Sequence, residues 1–156
     1  MANVFDVAKY ILQKQGTMTV MKLQKLVYFS QAWSLAWVDK PLFSEPIEAW
    51  TNGPVVRALY DVHKAMRLFY IDHLILPYGD PTNLSPDEID TIDTVLLAYG
   101  DKSAQWLSDL AHMEDPWIKA REGYAEGMPC VNEITHESMA EYYGCLSPDA
   151  PLVSNV

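Results

Sequence analysis

MKLQKLVYFSQAW, from Met21 to Trp33, and EAWTNGPVVRALY, from Glu48 to Tyr60, decide how this chain is read. In the first, apolar residues wrap far around a helical projection: Leu23, Leu26 and Val27, then Ala32, Trp33 and Ala36 just beyond. Such a helix is central, and Thr19 is placed to cap it. In the second, Asn52 and Gly53 can take positive φ or cap a helix, and Pro54 has no donor to lose at a first helical position. The run predicts an extended arm over Ile47 to Trp50, a reversal at Asn52 and Gly53, and a helix from Pro54 to about Leu68. Val55, Val56, Leu59 and Tyr60 then face inward.

Outward from these segments the chain is punctuated by helix starts. Asn3 caps a first helix through Val4, Phe5, Ala8, Ile11 and Leu12, which ends near Gly16. YIDHLIL, from Tyr70 to Leu76, fits a strand or a frayed helix end equally well. Ser85, Pro86, Asp87 and Glu88 form a capping box with proline at the first helical position, and Gly100 ends that helix. Ser103 opens the next helix, Asp115 and Pro116 a short one, and Thr135 the last, which ends around Tyr143. The sum is a mainly α single domain over residues 1–145: about seven short helices with a small two-stranded β element. A disordered tail is expected at 146–156.

A third stretch, YGDKSAQWLSDLAHMEDPWIKAR from Tyr99 to Arg121, completes a series. With the two opening segments it resembles the SocA-like or Panacea antitoxin domain, also described as a phage-associated family. The likeness spans roughly residues 5 to 143. It implies a small cytoplasmic antitoxin that neutralises a cognate toxin, usually encoded by a neighbouring gene, through direct protein contact. The resemblance singles out Lys22, Lys25 and Tyr28 in the first motif, Trp50, Gly53, Pro54 and Tyr60 in the second, and His112, Pro116 and Trp117 in the third. Leu23, Leu26, Gly53 and Val55 have an architectural explanation. Lys25 and Tyr28 put an ammonium and a phenol on a packed helix and need partners, so they are candidates for the polar part of a shared pocket or interface. The partner-binding candidates are Lys22, Lys25, Tyr28, Trp50, Tyr60, His112 and Trp117. Trp33, Trp50 and Trp117 favour the core by their spacing.

Charge limits the partners. Residues 1–70 carry eight Lys or Arg and five Asp or Glu, a balance of +3, and residues 71–156 carry three and sixteen, −13, within a net charge of −10. An acidic field repels phosphate backbones and attracts basic proteins, so a basic toxin would associate faster at low salt, in a complex burying roughly 800 Å² per partner. Lys9, Lys14, Lys22 and Lys25 could form a basic face on the first two helices, with Gln24 or Lys25 reaching a base edge. Four lysines neutralise few phosphates, and nucleic-acid binding is disfavoured. Lys22 and Lys25 are alternatively solvated or paired with acids of the second half.

Chemistry finds few parts. His63, His73, His112 and His136 show no i, i+4 pair for a metal, and no glycine run cradles a phosphate. No serine sits in a nucleophile elbow, and His112 beside Glu114 and Asp115 is better explained by helix capping. No catalysis, cofactor or metal is expected. Cys130 and Cys145 are read as free thiols. With no apolar run of membrane-spanning length, no signal peptide and no added DNA-binding domain, a cytoplasmic protein is expected. Two other functions stay open: an adaptor delivering the toxin to a protease, and, less favoured, a DNA-binding autorepressor.

Overall fold

The computed structural model describes residues 1–146, so all of the expected tail but Leu146 lies outside the described residues. Among the described residues the chain forms seven α-helices: α1 Val4–Gln15, α2 Val20–Val38, α3 Arg57–Ala65, α4 Pro86–Tyr99, α5 Ala104–His112, α6 Asp115–Ala120 and α7 His136–Gly144. Two short antiparallel pairs accompany them. β1 Met18–Thr19 pairs with β4 Tyr70–Ile71, and β2 Ile47–Trp50 with β3 Gly53–Val56.

Helix α2 is the axis of the fold. Every residue from Leu23 to Leu35 is buried, because α7, α4, α1 and α5 all pack around it. Burial on all sides is what its wide apolar wrap predicts. Several of its interior polar residues are spent on fastening other parts of the chain. The Gln31 side chain accepts from the Leu42 amide at 2.7 Å and donates to the Phe43 carbonyl at 2.8 Å, while Ser34 Oγ donates to the Lys40 carbonyl at 2.6 Å. Gln24 and Lys25 do the same for the β2–β3 hairpin.

The helix starts follow the sequence signals at Asn3, Thr19, Ser85, Ser103 and Thr135, each of which accepts from a backbone amide in the first turn. Asn3 with Asp6, and Ser85 with Glu88, form full capping boxes. Asp115 does not cap α6; Glu114 holds the N-cap position, and no side-chain bond is made there.

The second motif folds differently from its prediction. Gly53 and Pro54 begin a strand, and the helix starts only at Arg57. Gly53 alone supplies the positive φ of the reversal, +117°, while Asn52 does not. Pro54 fits in β3 because its partner Ala49 needs no donor from it. The Ala49 amide bonds to the Asn132 carbonyl at 2.9 Å, and its carbonyl accepts from Arg121 at 2.8 Å. The 132–134 segment runs along the outer edge of β2, where the Ile134 amide reaches the Ile47 carbonyl at 2.8 Å. Tyr70 and Ile71, open in sequence, form a strand, and this second pair exceeds the single β element expected.

Candidate functional site

Six side chains grip the main chain of the β2–β3 hairpin. Arg121 donates to the Ala49 carbonyl at 2.8 Å, Trp117 Nε1 to Trp50 at 2.8 Å, and Ser108 Oγ to Asn52 at 2.7 Å. His112 Nε2 stands 2.8 Å from the Thr51 carbonyl. From below, Lys25 Nζ donates to the Pro54 carbonyl at 3.1 Å. Gln24 brackets Val56, accepting from its amide at 2.9 Å and donating to its carbonyl at 3.3 Å. Four consecutive carbonyls, 49 to 52, thus face side chains of α5, α6 and the residue that follows α6. The 108, 112, 117, 121 spacing of the third motif acquires its reason here.

On the other side of the hairpin lies a pocket of about 710 Å³. Gln24 and Lys25 form its floor, Trp50 and Val55 one wall, and Tyr60 and His63 of α3 another. Trp50 and Tyr60 meet edge to face at 4.6 Å, and Tyr60 meets His63 at 5.2 Å. Arg57 lies 5.1 Å above the Trp50 ring and bonds Glu48 with two of its nitrogens. Glu48 also accepts from Trp50 Nε1 at 2.8 Å. Arg57 and these bonds pull the Glu48 carboxyl below its usual range against the opposing effect of desolvation, which is the largest influence on it. Lys64 and Arg67 stand at the pocket with no ion pair among the described residues.

Burial sets the electrostatics of the floor. Lys25 is only 1% exposed, and loss of water lowers its ammonium pKa to about 8. His63, bonded to Gln24 at 3.2 Å, is lowered by the same cause to about 4 and is therefore neutral near pH 7.

A second polar cluster lies inside the helical core. Tyr143 donates to Glu114 at 2.7 Å and receives the Tyr28 hydroxyl at 3.1 Å. Desolvation raises the Glu114 carboxyl to about 7, and it also drives the Tyr28 and Tyr143 phenols well above their usual value.

The sequence candidates therefore divide. Lys25, Trp50 and Tyr60 line the pocket. His112 and Trp117, whose rings are 4.2 Å apart, hold the hairpin from behind. Tyr28, one turn beyond Lys25, points into the core cluster. Lys22 donates to the Gly100 carbonyl at 2.7 Å, tying α2 to the end of α4. Neither Lys22 nor Lys25 pairs with an acid of the second half; both end on carbonyls. Lys9 does likewise, on His73 and Leu76, so the four lysines of α1 and α2 do not assemble into one basic face. Trp33 is buried as its spacing suggests, whereas Trp50 and Trp117 are half-buried.

Sequence reasoning missed Arg57, Lys64 and Arg67 at the pocket, and Ser108 and Arg121 behind the hairpin. The i, i+3, i+7 series Arg57, Tyr60, Lys64 was the available signal, since that spacing sets cation, ring and cation on one helical stripe.

Around the pocket the surface carries exposed apolar side chains. Phe69 is 65% exposed and Tyr70 59%, their rings 5.0 Å apart, and the Phe69 carbonyl bonds the Val20 amide beside Met21. Met21 and Val131, both exposed, line the pocket itself. Among the described residues no helix is long and apolar enough to cross a membrane.

A family model described as antitoxin SocA-like, Panacea domain, matches residues 23–118, more than half of the chain, including Lys25, Tyr28, Trp50, Tyr60, His112 and Trp117 but not Lys22. No curated protein and no solved structure matches the chain.

Proposed function

The chain belongs to the antitoxin SocA-like, Panacea domain family, and from that premise we propose that it acts in the cytoplasm as an antitoxin that neutralises a cognate toxin by direct protein contact. The observation that carries this reading is the collar of exposed Met21, Phe69, Tyr70 and Val131 beside a pocket walled by Trp50 and Tyr60. Aromatic residues and methionine are enriched at protein interfaces, and tryptophan and tyrosine recur as their anchors. Trp50 and Tyr60 make the contact, with Lys25 presenting its charge from the floor. His112 and Trp117 contribute by fixing the hairpin, Lys22 by fixing α2 against α4, and Tyr28 from the interior. The function needs no cofactor and no catalytic step.

Co-expression with the product of each neighbouring gene tests this. Growth rescue together with a stable co-purified complex is the expected result. Rescue accompanied by disappearance of the partner, and lost in protease-deficient cells, would replace neutralisation with delivery to a protease. If no neighbouring product is toxic and none binds, the antitoxin reading fails.

A further inference from the structure

The pocket is chemically unlike the rest of the molecule. Lys25, Arg57, Lys64 and Arg67 are four of the eleven Lys and Arg residues in a chain of net charge −10, and no Asp or Glu lines the cavity they share. Glu48 engages Arg57 from outside. Lys25, Lys64 and Arg67 then remain as cations without an acidic partner among the described residues.

Lys25 is the decisive group. An ammonium has three donors, and only the bond to Pro54 is made, although the side chain is 1% exposed. A buried charge in that state costs stability unless something supplies a countercharge. The Trp50 and Tyr60 rings and the aliphatic side chains of Val20, Val55 and Leu68 line the same cavity. A bare inorganic anion would leave most of about 710 Å³ unfilled. Pockets of this size take ligands with a substantial apolar or ring-bearing body. Aromatic walls favour a planar ring, and paired Lys and Arg favour a phosphate.

We propose that the pocket between the hairpin and α3 binds a nucleoside phosphate, its base against the Trp50 and Tyr60 wall and its phosphate held by cations that include Lys25 and Arg67. This small-molecule site goes beyond toxin binding and stands on the composition of the cavity alone. A countercharge beside Lys25 also draws a proton onto it, because burial lowers its pKa to about 8.

Isothermal titration of the full chain with AMP and with UMP tests the assignment, with adenosine and ribose 5-phosphate as the single-feature controls. At least one of the two nucleotides should bind with a Kd below about 1 mM, and both controls should be at least about tenfold weaker. Lys25→Met and Arg67→Glu should each loosen that nucleotide by about tenfold or more, with thermal unfolding of the surface variant Arg67→Glu unchanged. Near pH 8.5, titration in buffers of different ionisation enthalpy should show proton uptake that Lys25→Met abolishes. The proposal is overturned if neither nucleotide binds, if ribose 5-phosphate or adenosine matches it, or if neither variant weakens it.

Discussion

Gly53 and Lys25 occupy adjoining space so closely that a Cβ on Gly53 would stand 2.7 Å from Lys25 Cε. The glycine is required twice, once for φ +117° and once so that the lysine stem can pass beneath the hairpin to the Pro54 carbonyl. Gly53→Ala should therefore destabilise the protein by about 2 kcal/mol through backbone strain and displacement of Lys25. In a Lys25→Ala background the same change should cost about 1 kcal/mol less, a coupling measurable by urea denaturation in a double-mutant cycle. Strictly additive losses would show that the close approach is immaterial.

Lys25 itself is held at a cost. Its pKa falls from 10.5 in the unfolded chain to about 8 when folded, so below pH 8 the charged burial disfavours folding by about 3 kcal/mol. Between pH 8 and 10.5 the unfolded chain binds more protons, and stability rises with pH. Lys25→Met removes that rise while giving up one hydrogen bond of about 1–3 kcal/mol, so the variant should be as stable as the parent at pH 7 or somewhat more so. Denaturant melts across this range check both statements; a variant that is much less stable at pH 7 contradicts them.

Glu114 gives the opposite slope at lower pH. Its carboxyl is raised from 4.5 to about 7 by desolvation, so the folded state holds a proton that the unfolded chain has lost. The resulting stabilisation is full below pH 4.5 and declines by about 3 kcal/mol as pH rises to 7. His63, lowered from 6.5 to about 4, opposes it: its contribution is full above 6.5 and is lost as pH falls through 4. Glu114→Gln keeps an acceptor for Tyr143 and should convert a shallow pH profile into a clear rise from pH 4 to 6.5. An unchanged profile would mean that Glu114 does not titrate in this window.

If the hairpin and α3 meet the toxin, interface and interior separate cleanly. Trp50→Ala should weaken the toxin complex by about 2 kcal/mol or more. Tyr28→Phe, which removes the hydroxyl bonded to Tyr143, should lower stability by about 1 kcal/mol and leave affinity unchanged. Calorimetry or co-purification with the toxin found by co-expression measures the first, and thermal unfolding the second. Loss of affinity in Tyr28→Phe with Trp50→Ala neutral would reverse the assignment.

What the sequence made legible was local. Asn3, Thr19, Ser85 with Glu88, Ser103 and Thr135 announce helix starts because a cap needs only a few neighbouring residues. The wrap of apolar residues along α2 announced its central place. Pro54 misled because proline suits a first helical turn and an undemanding strand position equally, and only Ala49, bonded to Asn132 and Arg121, decides between them. The two-residue pairing of Met18–Thr19 with Tyr70–Ile71 leaves no periodic trace. The destinations of Lys22 and Lys25 were hidden for another reason: charge counts suggest carboxylate partners, whereas tertiary contact supplied carbonyls.

Because the hairpin is gripped by its main chain, at the carbonyls of residues 49 to 52, 54 and 56, the grip does not read the outward side chains of Thr51 and Asn52. Both side chains are exposed, and the bond they make is a long one, from Thr51 Oγ1 to the Met128 carbonyl at 3.5 Å. The frame and the lettering it carries are largely separable, so substitution at the tip can change the surface that the arm displays without refolding the arm.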